Sequence, residues 1–101
     1  MNEDRFLSLI GLAQKAGKLV SGELAVAKAV RAGKARAVII AQDSSESTKK
    51  NYRDMTTYYK VVLYEGPSKQ QMGLAIGKAG RAAIAITDAG FCKSIIKEIT
   101  E

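Results

Sequence analysis

A run of five apolar residues does most to limit the fold of this chain. Residues 37–41 read AVIIA and contain no polar position. A strand with one exposed face alternates apolar and polar residues, whereas a strand covered on both faces is apolar throughout. The run is short and rich in β-branched residues, so it predicts a strand buried in a sheet that helices cover on both sides.

Helical and extended patterns alternate along the rest of the chain. The predicted strands are residues 18–20, 37–41, 61–64 and 82–87. The predicted helices are residues 3–16, the segment from Ser21-Gly22 to Gly33, residues 46–58, a short helix after Ser68 and a last helix after Asp88. This alternation predicts an α/β fold, a three-layer α/β/α sandwich with a mixed sheet of roughly four strands, as one domain over residues 1–101.

Short polar side chains stand where the predicted helices begin. Such a side chain caps a helix by accepting a hydrogen bond from a free backbone N–H. The predicted caps are Asn2, Ser21, Ser45 or Ser47, Ser68 with Gln71 in a capping box, and Asp88. At the other end of the second helix, Gly33 suits the left-handed position that often ends a helix.

The segment from Gly17 to Gly33 predicts a short strand, a tight turn and a basic helix. Leu24, Lys28 and Arg31 share one face of that helix, and the opposite face is small and apolar. The first turn of a helix has unpaired N–H groups and a partial positive charge. The segment therefore predicts a site for an anion, and phosphate is the obvious candidate.

The charge of the chain favours polyanionic partners. Lys and Arg number 16 against 10 Asp and Glu, which gives a net charge of +6. The cations gather in two parts of the sequence: Lys15, Lys18, Lys28, Arg31, Lys34 and Arg36 in the first, and Lys69, Lys78 and Arg81 in the second. We expect the turn at Ser21-Gly22 and the loop from Gly77 to Arg81 to converge at one end of the sheet. The alternative is that these are ordinary solvated charges.

Catalysis and metal binding find little support in the sequence. The chain has no histidine, the usual proton carrier at neutral pH, and no cluster of metal ligands. The candidate bases are Glu23, Asp43, Glu65 and Asp88, and three of them fall at predicted turns or caps. Residues 73–79 resemble a phosphate-binding P-loop only superficially, because the glycines are one residue too close and Ala79 replaces the magnesium-binding Ser or Thr. We expect no enzymatic activity, no cofactor and no metal.

The single cysteine, Cys92, indicates a reducing compartment, and its helical setting predicts a core position. No apolar run approaches the roughly 18 residues of a membrane span, and the N-terminus lacks the pattern of a signal peptide. We therefore expect a cytoplasmic monomer that does not associate with membranes.

Two long segments resemble a known family. Residues 17–41 (GKLVSGELAVAKAVRAGKARAVIIA) and 68–90 (SKQQMGLAIGKAGRAAIAITDAG) are similar to the signatures of the ribosomal L-seven-Ae/L-thirty-e superfamily, whose members bind kink-turn RNA. The motifs VSGE, NYRDMTTYYKV and ITDAGF most resemble its small bacterial YlxQ-like branch. The resemblance implies a non-enzymatic, ribosomal-type RNA-binding protein whose partner is kink-turn or ribosomal RNA, and it makes the ribosome a further candidate partner.

The resemblance also implies particular contacts. The turn and first helical residues would enter the widened RNA groove, a basic residue one turn later would contact phosphate, and the later loop would cover the flipped-out nucleotide of the kink. The residues so implied are Ser21, Gly22, Glu23, Leu24, Ala25, Lys28, Ile76, Gly77, Lys78 and Ala79, with Arg81 nearby. Lys18, Arg31 and Lys34 join this set because of their charge and position.

The sequence departs from the family at Leu24-Ala25, where members commonly carry polar residues that read the edges of sheared G·A pairs. Leucine and alanine cannot read them, so we expect reading of the kink-turn to be weaker, shifted to Glu23 and the backbone, or lost. Leu24 either lies exposed where RNA would bind or packs under a neighbouring loop. Two other functions remain open: a protein-interaction adaptor on the same fold, and the substrate-binding part of an RNA-modifying enzyme.

Overall fold

Five helices and four strands alternate along residues 2–100, the part of the chain that the computed structural model describes. The helices are α1 (Glu3–Lys15), α2 (Glu23–Arg31), α3 (Glu46–Tyr59), α4 (Lys69–Ala75) and α5 (Ala89–Thr100). The strands are β1 (Leu19–Ser21), β2 (Ala37–Ala41), β3 (Val62–Gly66) and β4 (Ala83–Ile86). The predicted order of elements is confirmed. Within residues 2–100, no helix is both long enough and apolar enough to cross a membrane.

The strands form one mixed sheet in the order β1-β4-β2-β3. β4 runs antiparallel to both of its neighbours, and β2 runs parallel to β3. Every residue of the two central strands is buried. The prediction from the AVIIA run is therefore confirmed.

Alternate residues of β2 point into two separate apolar layers. Ile39 packs with α1, α4 and α5, in a cluster that includes Phe6 and Ile95. Val38 and Ile40 pack with α2 and α3 on the other side. This arrangement confirms the three-layer sandwich, and each fully buried isoleucine contributes about 1.5–3 kcal/mol to stability.

Most of the predicted caps are confirmed. The Asn2 side chain accepts from the Arg5 N–H, and the Ser45 side chain accepts from the Thr48 N–H at 3.1 Å, which selects Ser45 over Ser47. Ser68 and Gln71 form the capping box, and Asp88 Oδ2 accepts from the Phe91 N–H at 2.9 Å. Gly33 has the expected positive φ, +73°. Cys92 is buried in the core as predicted, and burial raises the pKa of its thiol.

The predicted cap at Ser21 is wrong. Gly22 is the N-cap residue of α2, and no side chain of the described residues caps that helix. Ser21 instead belongs to β1, where it pairs with Ile84 of β4. Pairing with β4 extends the strand one residue beyond the predicted end and takes the serine out of reach of the helix.

The register of the sheet determines which loops meet. β1 ends opposite the start of β4, because Ser21 pairs with Ile84, and β2 ends there too, because Ile40 pairs with Ala83. The parallel strand β3 ends beside β2. We call this end the Gly22 edge; it is formed by Ser21, Ala41, Gly66 and Ala83. α2, α3 and α4 all begin at the Gly22 edge, because each follows a strand that ends there.

Candidate nucleic-acid interface

The first turn of α2 is open. The N-cap residue Gly22 has no side chain that could cap the helix, its φ of +92° favours glycine, and its N–H donates to the carbonyl of Ala83 at 3.0 Å. Within the described part of the chain, α2 receives no capping hydrogen bond from a side chain. The first N–H groups of this helix are therefore available to an acceptor from outside the chain.

The loop from Gly77 to Arg81 folds back along α4 toward the same edge. The N–H of Lys78 donates to the carbonyl of Gly73 at 2.8 Å, and the N–H of Arg81 donates to the carbonyl of Lys69 at 3.1 Å. A Cβ atom added at Gly73 would lie 2.3 Å from the carbonyl oxygen of Ala79. The loop can pack this closely on α4 only because residue 73 is a glycine.

Arg81 connects this loop to the end of β1. Its Nε donates to Ser21 Oγ at 3.3 Å, and its Nη1 donates to the carbonyls of Ala79 and Gly80, each at 3.2 Å. The expected convergence of the turn at Ser21-Gly22 and the loop from Gly77 to Arg81 is therefore present. Arg81 is half-buried, and its guanidinium holds the two segments together in addition to carrying charge.

Leu24 stands out from α2 and is 90% exposed. It does not pack under a neighbouring loop, so that alternative is wrong, and a contact between Leu24 and RNA stays a prediction. Ala25 beside it is also exposed. Glu23 is tied to α3: its carboxylate accepts from Thr48 Oγ1 at 3.5 Å and its carbonyl accepts from the Tyr52 hydroxyl at 3.2 Å.

The predicted cations separate along the length of the sheet. Lys28 and Arg31 lie exposed along α2, and Lys78 lies exposed in the loop at the Gly22 edge. Lys18 and Lys34 lie at the opposite end, since Lys18 precedes β1 and Lys34 follows α2. The three residues of β1 lie between Lys18 and Gly22, and the four steps along the strand span about 13 Å. Lys18 and Lys34 are therefore not part of the cluster at the Gly22 edge.

Ile76 does not match its predicted role. Its side chain is 6% exposed and belongs to the core cluster on the α1, α4 and α5 side. It cannot cover a nucleotide without leaving that core. A different apolar residue of α4, Leu74, is 72% exposed and was not among the predicted site residues. Met72, Ala75 and Ile76 repeat at i, i+3 and i+4 and form one apolar face that excludes Leu74, and this spacing was the signal that could have found it.

The four candidate bases all have structural partners. Asp43 accepts from the Lys69 N–H at 2.9 Å, and Asp88 caps α5. Glu65 lies 3.6 Å from Lys49 Nζ, and Glu23 accepts from Thr48.

Burial, with the nearby charge of Glu23, raises the pKa of Tyr52 to about 12, so this hydroxyl is protonated at neutral pH. Among the described residues, no group of three or more acidic, Cys or His side chains is placed to hold a metal ion.

Two named bacterial proteins are similar to this chain in sequence. "RNA-binding protein YlxQ" of Bacillus subtilis is 38% identical over 96 residues, which are 95% of this chain and 96% of that protein. "RNA-binding protein YlxQ" of Enterococcus faecium is 41% identical over 100 residues, which are 99% of this chain and 95% of that protein.

Two solved structures have the same fold. One is a protein of unknown function from Bacillus halodurans, with a TM-score of 0.91, 38% identity and coverage of 96% of this chain and 98% of its own. The other, a Giardia lamblia 15.5kD RNA binding protein, has a TM-score of 0.78, 19% identity and coverage of 99% of this chain and 88% of its own. The family model of the ribosomal protein L7Ae/L30e/S12e/Gadd45 family matches residues 4–96. With two relatives at 38% and 41% identity over nearly the whole chain, this protein belongs to the ribosomal protein L7Ae/L30e/S12e/Gadd45 family.

Proposed function

We propose that this chain is a non-enzymatic RNA-binding protein that contacts RNA at the Gly22 edge. The observation that carries the proposal is the open first turn of α2 beside the loop from Gly77 to Arg81. The exposed N–H groups and the partial positive charge of that turn suit a phosphate. Kink-turn or ribosomal RNA is the proposed target, because the family resemblance implies it.

The residues around the open turn supply the other contacts that a bent RNA needs. Lys28 lies exposed just over one turn into α2 and can meet a second phosphate, and Lys78 adds a cation from the loop. Bent or unpaired RNA exposes base edges and faces that a regular duplex hides. The exposed side chain of Leu24 offers such a surface an apolar contact and no hydrogen bond. RNA binding here is therefore led by shape and phosphate contacts.

The names of the Bacillus subtilis and Enterococcus faecium relatives support RNA as the ligand class. The structural engagement of all four candidate bases supports a non-enzymatic role. We further propose that the protein is cytoplasmic and monomeric. Light scattering checks the oligomeric state, because the mass of the complex should equal that of one protein and one RNA.

A salt titration tests the proposal. The affinity for a kink-turn RNA is measured over a range of potassium chloride concentrations, with the same RNA carrying Watson–Crick pairs in place of its G·A pairs as the comparison. Each phosphate contact contributes a slope of about −0.7 to −0.9 to the plot of log affinity against log salt. We expect a steep line that corresponds to several contacts. No binding to either RNA, or an affinity that does not change with salt, would overturn the proposal and leave a protein-interaction adaptor as the better reading.

A further inference from the structure

A groove runs between α2 and α3, on the side of the sheet away from α1. The two helices begin together at the Gly22 edge, where the Tyr52 hydroxyl donates to the carbonyl of Glu23. Tyr52 is buried and forms part of the floor. The groove has a volume of about 570 Å³. The residues that matter for its chemistry are Arg31, Asn51, Tyr52, Met55, Tyr58 and Tyr59.

Two tyrosines at the end of α3 are exposed beside this groove. Tyr58 is 78% exposed and Tyr59 is 40% exposed. Their ring centroids are 4.9 Å apart and the ring planes meet at 76°, an edge-to-face arrangement. The two rings are in contact, and most of Tyr58 is open to a ligand. Aromatic faces of this kind are what the bases of an unpaired strand stack on.

Charge and hydrogen-bonding groups accompany the aromatic rings. Arg31 of α2 is exposed and lies at the groove, where it can meet a phosphate. The acidic residue at the groove, Asp54, forms an ion pair with Lys50 at 3.0 Å, so its charge is balanced. Asn51 contributes an amide that can both donate to and accept from a base edge. A cation, an amide and an exposed aromatic ring together suit a nucleotide better than an apolar peptide.

The groove and the Gly22 edge lie along the same two helices. Thr48 contacts Glu23 at that edge, and Tyr58 lies ten residues farther along α3, which is about 15 Å. A short unpaired strand that leaves the Gly22 edge between the two helices can therefore reach Arg31 and the tyrosines.

We propose that the groove between α2 and α3 binds an unpaired segment flanking the structured RNA, with a base stacked on Tyr58 and a phosphate beside Arg31. This inference rests on the proposed function. It adds a second contact region, which recognises single-stranded RNA and lies outside the residues that the family resemblance implies.

The test compares RNAs that differ only in an unpaired extension. A kink-turn hairpin is prepared without an extension, with five uridines at the 5′ or the 3′ end, and with five abasic nucleotides at the same ends. For one of the two ends we expect the uridine extension to raise the affinity about tenfold, and the abasic extension, which keeps the phosphates, to raise it much less. Tyr58→Ala should abolish the gain from uridines, whereas Tyr58→Phe should retain it because the ring remains.

The outcomes separate this inference from the proposed function. If the protein binds the hairpin and neither uridine extension raises the affinity, the groove does not bind RNA. Equal loss of affinity for extended and unextended RNA in Tyr58→Ala would also overturn the inference, and a circular dichroism melt shows whether that variant has lost its fold. If Tyr58→Ala has lost its fold, Arg31→Gln replaces it as the test variant. Arg31→Gln should lower the gain in affinity from both the uridine and the abasic extension. Failure to bind any of these RNAs would overturn the proposed function itself.

Discussion

Three helices begin at the Gly22 edge, and they differ in how their first turns are satisfied. α3 is capped by Ser45, and α4 is capped by Ser68, while the Lys69 N–H of α4 donates a further hydrogen bond to Asp43 Oδ1. α2 begins at Gly22 with no side-chain cap from the described residues. A glycine N-cap costs only about a few tenths of a kcal/mol relative to serine, so α2 loses little stability by lacking the contact that both of its neighbours have.

Packing elsewhere on α2 replaces the stabilisation that a cap would give. α2 does not need the cap, because Val26 and Val30 are buried against the sheet and its Glu23 carbonyl is bonded by Tyr52. Tertiary packing therefore stabilises the helix, and its first turn stays open. The capped helices α3 and α4 complete the structure around that turn.

The largest expected effect comes from giving α2 polar side chains at its open turn. The comparison RNA is the same kink-turn with Watson–Crick pairs in place of its G·A pairs. Leu24→Asn with Ala25→Glu should raise the preference for the kink-turn over this RNA at least tenfold above that of the unaltered protein. Each good polar contact to a base is worth about 1–3 kcal/mol. The measurement is the ratio of the two dissociation constants.

Leu74→Asn is the control for that experiment, because Leu74 is also an exposed leucine but lies on α4. It should leave the ratio unchanged. A double variant that folds and gains no discrimination would show that these two positions do not face the RNA.

A charge reversal on α2 should give the next largest effect. Lys28→Glu should weaken RNA binding about tenfold, because it removes one phosphate contact and adds a repulsion. Folding should change by less than about 0.5 kcal/mol, since the side chain is exposed. Lys93→Glu makes the same change of charge on α5, on the other side of the sheet. Equal losses in the two variants would mean that only net charge matters.

Removing a cap from a neighbouring helix should affect stability and spare RNA binding. Ser45→Ala should lower the free energy of unfolding by about 1 kcal/mol, as judged by urea denaturation, because the Thr48 N–H loses its acceptor. RNA affinity should stay within about twofold. Ser47→Ala, two residues away and exposed, should change neither quantity. A large loss of RNA affinity in Ser45→Ala would place the α3 turn in the binding surface as well.

The smallest effect concerns the hydroxyl that joins α2 to α3. Tyr52→Phe should cost under about 1 kcal/mol at neutral pH, where it removes one hydrogen bond. The raised pKa of Tyr52 means that the unfolded chain loses this proton before the folded chain does, so stability falls as the pH rises from 10.0 to about 12. The variant should lose less stability than the unaltered protein across that window. Parallel losses would show that Tyr52 does not titrate there.

Local signals in the sequence predicted the capped helices well. A cap at Ser45 or Ser68 depends on residues within one turn, and the apolar run of β2 reports its own burial. The Ser21 prediction failed because the end of β1 is set by β4, about 60 residues later in the chain. Position in space likewise decided that Tyr58 faces a groove. The local apolar pattern of α4, in contrast, could have placed Ile76 in the core and Leu74 on the surface.

The close packing of the loop from Gly77 to Arg81 on Gly73 has a consequence for binding kinetics. Three backbone N–H groups of this loop, those of Gly77, Lys78 and Arg81, already donate to carbonyls of α4. A segment held in this way loses little conformational entropy when a ligand arrives. Encounter with RNA then depends on diffusion and charge, and substitutions within the loop that keep its charge should change the lifetime of the complex far more than its rate of formation.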